Sequence, residues 1–376
     1  PNIPMAIKLQ ISRLQIPALK SALRDQEVFS SSQHPGRILI NTIAAIGIGF
    51  DDSKPPEKDP TYKAIARITE AINNQYAQND DVFSHSLIEL RQVINKESRK
   101  SSIIEKRTDQ AETGRSRLRL AKTLSRDLLS KRLSKASLPE SVHSLLLEKW
   151  LDVLVMVYLK SGENSAEWVN ACQTVDDLVW VCQEHSSQKA TARLNEFRVD
   201  LVNRVKHGLD LINEHIDSQT GILSTIENLI YQAEQNDIDC SLFIELDEEQ
   251  VSQAMPEDET IGNVAPSAIQ QQKEKYLALT YGFIQKAEQM PLGTWFNYQD
   301  RESGRELRCK LSSKLAATET FIFVNRFGFK ALEKHRKEFA YDMQRARAAP
   351  LDATALFDRI FEKISHNLKA VGENHA

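Results

Sequence analysis

Only one stretch of this 376-residue chain, residues 292–339, has the composition of β-strands. It opens with Trp295 among residues that favour a half-buried pleated surface. The run 306–311 then alternates apolar and basic side chains, which is typical of a strand with one solvent-exposed face. A third apolar run, 320–325, precedes Gly328, which lies where the chain needs a bend. This pattern predicts a small antiparallel β-barrel.

The rest of the chain has the apolar periodicity of α-helices. Residues 80–135 keep a nearly continuous helical pattern, and we expect that helix to bend or break near Gly114. Residues 140–160 are apolar almost all round and include Trp150, so they predict the central core helix of a bundle. The predicted fold class is therefore mainly α: a multi-helix bundle, then the small antiparallel barrel, then a C-terminal helix over 351–371.

A change in composition marks the predicted domain boundary. Residues 234–259 include ten acidic residues and not one Lys or Arg. Such a segment can bury little apolar surface, so we expect it to be poorly ordered. The sequence predicts a helical bundle domain over 1–235 and an acidic flexible linker over 236–266. Residues 267–376 would then contain a bridging helix, the barrel and the C-terminal helix.

Two regions carry an excess of basic residues. Residues 91–135 contain fourteen Lys or Arg against five Asp or Glu. Residues 301–347 contain twelve Lys or Arg against six Asp or Glu, with aromatic residues interleaved. A charge-rich helix face is usually a solvated one, and the aromatics can simply be the barrel core. The same pattern also fits docking of an acidic partner or of nucleic acid.

No catalytic pattern emerges from the sequence. It has no glycine-rich phosphate loop, no His-x-x-x-His pair and no Gly-x-Ser-x-Gly elbow. The four cysteines have no Cys-x-x-Cys spacing, which favours reduced thiols in the cytoplasm and no metal site. The longest apolar runs are well short of the ~20 residues that cross a bilayer. We therefore predict a non-enzymatic, cytoplasmic protein.

Several motifs together resemble one family. They are Leu14-Gln-Ile-Pro17, His34-Pro-Gly-Arg37, Trp150-Leu-Asp-Val-Leu154, Thr174-Val-Asp-Asp-Leu178 and Phe323-Val-Asn-Arg-Phe-Gly328. The chain is similar over nearly its whole length to the C-terminal part of the bacterial family catalogued as domain of unknown function 1631. Because it begins in mid-pattern at Pro1 without a methionine, we expect it to be part of a longer protein.

The C-terminal module also resembles a divergent PilZ barrel, the domain that binds cyclic di-GMP in bacterial signalling proteins. Arg301 and Arg305 have the spacing of the PilZ Arg-x-x-x-Arg motif, although they follow the first strand instead of preceding it. The second PilZ motif, Asp/Asn-x-Ser-x-x-Gly, is not present in the module. The resemblance implies that Arg301, Arg305, Arg308 and Arg326 are the candidate contacts for an anion or for the dinucleotide.

Three functions remain open from the sequence. The leading interpretation is a regulatory or adaptor protein that acts through protein contacts of the bundle and the PilZ-like barrel. The first alternative is an effector that binds cyclic di-GMP. The second is a nucleic-acid-binding protein that uses the basic helix and the basic face of the barrel.

Overall fold

The computed structural model describes residues 3–24, 33–50, 55–76, 81–183, 188–235, 243–256, 281–299 and 304–351. The described helices are, in chain order, α1 Met5–Arg24, α2 Pro35–Gly47, α3 Pro60–Gln75, α4 Val82–Leu133, α5 Glu140–Ser144, α6 Leu151–Ser161, α7 Ala166–Val181, α8 Gln188–Leu211, α9 Ile216–Gln235, α10 Glu248–Ala254, α11 Tyr281–Gln289 and α12 Arg336–Gln344. The described strands are β1 Ser137–Leu138, β2 Ile244–Glu245, β3 Trp295–Gln299, β4 Glu306–Leu315, β5 Thr320–Val324, β6 Lys330–His335 and β7 Ala348–Pro350.

The chain divides into two compact units, each with its own core. The first unit consists of residues 1–113 and 270–376, and the second of residues 114–269. The helices predicted as one bundle over 1–235 are therefore shared between the two units.

The helices of the first unit begin where local chemistry favours it. Pro35 and Pro60 lie in the first turns of α2 and α3, where a missing amide proton costs nothing. The Asp59 carboxylate accepts hydrogen bonds from the first free amides of α3. Their inward faces are aliphatic, and Ile43 and Ile68 are almost completely buried. The first unit therefore has an aliphatic core under α1 to α4.

Helix α4 runs unbroken through Gly114, so the expected break at this position is wrong. A glycine inside a helix costs only about 1 kcal/mol relative to alanine. Packing on either side of it outweighs this cost, because Glu112 and Ser116 are both buried.

The second unit is organised around the apolar helix predicted for 140–160. Helix α5 passes through a π-helical turn, Leu145–Trp150, directly into α6, so the predicted core helix is confirmed. Trp150 is 1% exposed, and its indole nitrogen donates a hydrogen bond of 3.0 Å to the Ala171 carbonyl oxygen. Around it pack α7, α8 and α9.

Part of the acidic segment forms regular secondary structure. Within residues 243–256, β2 pairs with β1, and α10 begins at a capping box formed by Asp247 and Gln250. Val251 and Met255 are buried in the core of the second unit. The neighbouring residues 236–242 and 257–280 lie outside the described residues.

The predicted antiparallel β module is confirmed as a sheet of five strands in the order β6-β5-β4-β3-β7. It is not closed into a barrel. After β6 the chain enters α12, which covers one face of the sheet, and β7 then pairs with β3 at the opposite edge. Among the described residues, β6 and β7 therefore each pair on one side only.

An aromatic cluster forms the core of this module. The rings of Phe296, Phe321 and Phe323 each lie within 6 Å of the Phe339 ring of α12. Helix α11 is the described end of the predicted bridging helix. The predicted C-terminal helix over 351–371 lies outside the described residues.

Candidate interaction site between the sheet and the helices

The turn between β5 and β6 lies directly on helix α4. Asn325 shapes this turn, because its side-chain oxygen accepts hydrogen bonds from the amides of Phe327 and Phe329. Gly328 adopts a φ of +86°, and a Cβ atom there would stand 2.3 Å from the Ser101 carbonyl oxygen. The Thr108 hydroxyl donates a hydrogen bond of 2.9 Å to the Gly328 carbonyl oxygen. We call this contact of the sheet with α2 and α4 the seam.

Carboxylates of α4 bind lysines of the sheet along the seam. Glu105 accepts hydrogen bonds from Lys310, at 2.7 Å, and from the Ser312 hydroxyl, at 2.9 Å. Two turns further along α4, Glu112 accepts a hydrogen bond of 2.7 Å from Lys330. The Glu112 side chain is only 3% exposed, and Lys330 compensates its charge in this buried position.

The pKa of Lys330 follows from this pairing. Burial of its ammonium alone would lower the pKa. Hydrogen bonds to the Glu112 and Glu333 carboxylates act in the opposite direction and raise the pKa above its ordinary value. Lys330 therefore stays charged and holds the sheet to the helix.

Arg308 connects β4 to the end of α2. It is 9% exposed, and one guanidinium nitrogen donates hydrogen bonds of 3.1 Å to the carbonyl oxygens of Gly47 and Ile48. The last carbonyls of a helix have no partner within it, so the arginine satisfies groups that would otherwise be buried unpaired.

Arg326 connects the turn to the loop before α3. Its guanidinium forms an ion pair with Asp59 and lies 4.0 Å from the centre of the Phe50 ring and 4.7 Å from that of Phe327. Beside it, Gly49 lies under the Trp295 ring, where a Cβ atom would come within 2.8 Å of a ring carbon.

Two cavities open along the seam. The smaller one, of about 230 Å³, is lined by Arg308, Arg326 and Lys58 among others. The larger one, of about 360 Å³, is lined by the rings of Trp295, Phe327 and Phe329, with α4 on its other side. We call the larger cavity the seam cleft. Phe329 is 55% exposed at the cleft, which makes it accessible to a ligand.

Of the four arginines that the sequence grouped as one site, the structure describes three. Arg308 and Arg326 lie together at the smaller cavity, and both donate to groups of the protein itself. Arg305 is exposed just before β4. Arg301 lies outside the described residues.

Sequence reasoning missed the acidic partners, Asp59, Glu105 and Glu112. One signal was present: two carboxylates seven residues apart, on a helix with an excess of basic residues, lie on the same face. Nothing in the sequence indicated which lysines they bind, since the two pairs are separated by 205 and 218 residues.

The described residues contain no group of three or more His, Cys, Asp or Glu placed to hold a metal ion. None of the described helices has the length and apolar character needed to cross a bilayer.

The fold defines the chain as a helical protein that carries a small antiparallel sheet packed onto its helices. Three models of one family of unknown function match it: the DUF1631 second domain over residues 1–79, the third domain over 111–227 and the C-terminal tudor domain over 282–351. These matches cover well over half of the chain, which therefore belongs to the DUF1631 family. The sheet module is thus matched by a tudor domain. No curated protein and no solved structure gives a match.

Proposed function

We propose that this protein is a non-enzymatic regulatory or adaptor protein of the cytoplasm that binds a protein partner at the seam cleft. Tudor-like domains are often protein-interaction modules, and the family model over 282–351 is of that kind. Of the cysteines that the structure describes, Cys172 and Cys309 are buried free thiols, which fits a reducing compartment.

The observation that carries the proposal is the set of aromatic rings at the cleft. Trp295, Phe327 and Phe329 line a cavity of about 360 Å³. Aromatic side chains in a concave, preformed site contribute more binding energy than most contact residues, because they bury a large area at a low entropic cost. Such a cleft fits an apolar side chain of a partner.

The ion pairs around the cleft support the same function. Lys310 and Arg326, two of its lining cations, are neutralised by Glu105 and Asp59. The Arg326–Asp59 pair fixes the turn that carries Phe327 and Phe329, and the Lys310–Glu105 pair fixes β4 on α4. The loss of side-chain entropy at the cleft when a partner binds is therefore small. A rigid aromatic site with internally paired charges is suited to recognition.

A site-specific crosslink tests the proposal. A photoreactive phenylalanine analogue replaces Phe329 in cells that express the protein, and the control carries it at Leu292, which is similarly exposed in the same module at 60%. We expect a discrete crosslinked protein from position 329 and none of that mass from position 292. The purified partner should then bind at least about tenfold more weakly to Phe329→Ala than to Leu292→Ala. Identical crosslinks from both positions, or none from 329, would contradict the proposal.

A further inference from the structure

We propose that the solvent-facing side of the first half of α4 is a second docking surface, which binds an acidic segment with apolar side chains from a partner protein. This surface, the outward row, consists of exposed residues at helical spacing: Ile88, Gln92, Lys96, Arg99, Ile103, Lys106 and Gln110. It lies on the side of α4 opposite the seam, so the proposal goes beyond the function proposed above and does not depend on it.

Helix α4 separates its charges between two faces. Ser101, Glu105, Thr108 and Glu112 follow one another at steps of four, three and four residues, and all of them contact the sheet. The lysines of the sheet therefore neutralise two of the carboxylates of α4, Glu105 and Glu112. The opposite face keeps its cations.

The cations of the outward row have no acidic partner among the described residues. Lys96, Arg99 and Lys106 form no ion pair with any residue in the described part of the chain. An ordinary solvated helix face alternates Glu and Lys at a spacing of four, which cancels the field. Three cations on one helix face, without acidic residues between them in the row, produce a positive field that attracts an acidic partner.

Two exposed isoleucines indicate which acidic partner fits. Ile88 and Ile103 are 55% and 56% exposed, and fifteen residues of helix place them roughly 22 Å apart. The cations lie between and beside them. Isolated exposed apolar residues are common, but here they share a face with the cations. A nucleic acid backbone would use the cations alone, whereas an acidic segment with apolar side chains would use both.

Three probes separate these chemistries. A random copolymer of glutamate and tyrosine supplies carboxylates with apolar groups, polyglutamate supplies carboxylates alone, and a mixed-sequence oligonucleotide supplies phosphates. Binding to the whole chain is measured by fluorescence anisotropy at several salt concentrations. We expect the copolymer to bind at least about tenfold more tightly than polyglutamate or the oligonucleotide.

Matched variants locate the binding. The double variant Arg99→Glu with Lys106→Glu should weaken copolymer binding by about tenfold or more. Lys8→Glu with Arg13→Glu makes the same charge change on exposed residues of α1 and should leave it within about twofold. Circular dichroism verifies that both double variants are folded.

A third variant separates the apolar contribution from the charge. Ile103→Ser should weaken copolymer binding by about threefold or more and leave polyglutamate binding unchanged, with Leu9→Ser on α1 as its control. If the oligonucleotide binds as tightly as the copolymer, the surface is a nucleic-acid site and the proposal is wrong. Equal losses in the two double variants, or no binding of any probe, would also overturn it.

Discussion

Gly328 lies against Ser101 of α4 so closely that a Cβ atom on the glycine would stand 2.3 Å from the Ser101 carbonyl oxygen. The φ of +86° at Gly328 independently favours glycine. A glycine at position 328 of the turn therefore has a structural reason. It allows the backbone of the sheet module to contact the backbone of a helix that lies more than two hundred residues earlier in the chain.

The first prediction is that Gly328→Ala detaches or strongly destabilises the sheet module. The added methyl group would clash with main-chain atoms that cannot move aside. The free-energy cost of this clash adds to the cost of placing alanine at a positive φ. Urea unfolding should show a loss of about 3 kcal/mol or more. The control is Gly293→Ala, at a φ of +87° with no atom within 4 Å of the new Cβ, which should lose only about 1 to 2 kcal/mol. Equal losses would show that the close approach is unimportant.

The second prediction concerns the buried carboxylate of Glu112. Lys330→Met removes a positive charge that is hydrogen-bonded to this buried carboxylate and should cost about 3 to 5 kcal/mol of unfolding free energy. Lys334→Met is the matched control, since its partner Glu338 is 27% exposed, and it should cost no more than about 1 kcal/mol. If the two substitutions cost the same, Glu112 does not depend on Lys330.

The third prediction is the pH dependence of that same contact. The pKa of Lys330 is raised in the folded protein, so its stabilising contribution is fully present below the ordinary lysine value of about 10.4. It is lost as the pH rises through the raised value. The difference in unfolding free energy between the wild type and Lys330→Met should therefore be constant up to about pH 10 and shrink above it. A difference that already shrinks between pH 7 and 9 would contradict the assignment.

The sequence predicted most helices and the antiparallel strands, because their periodicity depends only on neighbouring residues. It misread Arg308, which the alternation of β4 placed on a solvent-exposed face. That face of the strand is covered by α2, and the guanidinium is 9% exposed. The covering helix lies some 260 residues away in the chain, so local alternation carries no information about it.

The acidic segment shows what a local composition cannot specify. Its composition predicts a linker over residues 236–266, and that prediction stands for the residues outside the described part. Within residues 243–256, Val251 of α10 and Met255 directly after α10 are buried in the core, while the acidic residues of α10 remain at the surface. The net charge of the segment gives no information about which of its few apolar residues are buried.

The fourth prediction tests the packing of Trp150 against Gly208. A Cβ atom at position 208 would lie 2.6 Å from a carbon of the indole ring, so Gly208→Ala should destabilise the second unit by about 2 kcal/mol. Trp150→Ala should cost about 3 to 5 kcal/mol, since the ring is buried. Gly221→Ala is the control: that glycine lies in α9 with open space, and alanine there should be neutral or slightly stabilising. A smaller cost of Gly208→Ala in a Trp150→Phe background would confirm that the ring is the obstacle.

The last prediction concerns cyclic di-GMP, the ligand that the PilZ resemblance implied. Arg308 already donates to two carbonyl oxygens, and Arg326 is paired with Asp59 and lies close to the Phe50 and Phe327 rings. A phosphate would have to displace these contacts, at a cost comparable to breaking a buried ion pair. We therefore expect calorimetric titration of the whole chain with cyclic di-GMP to show no saturable heat at micromolar concentrations. Arg326→Ala should lower the unfolding free energy by about 2 kcal/mol or more, because it leaves the Asp59 carboxylate without its counter-ion. Saturable binding that is abolished by Arg305→Ala, with the stability unchanged, would instead place the dinucleotide at the exposed start of β4 and restore the effector function.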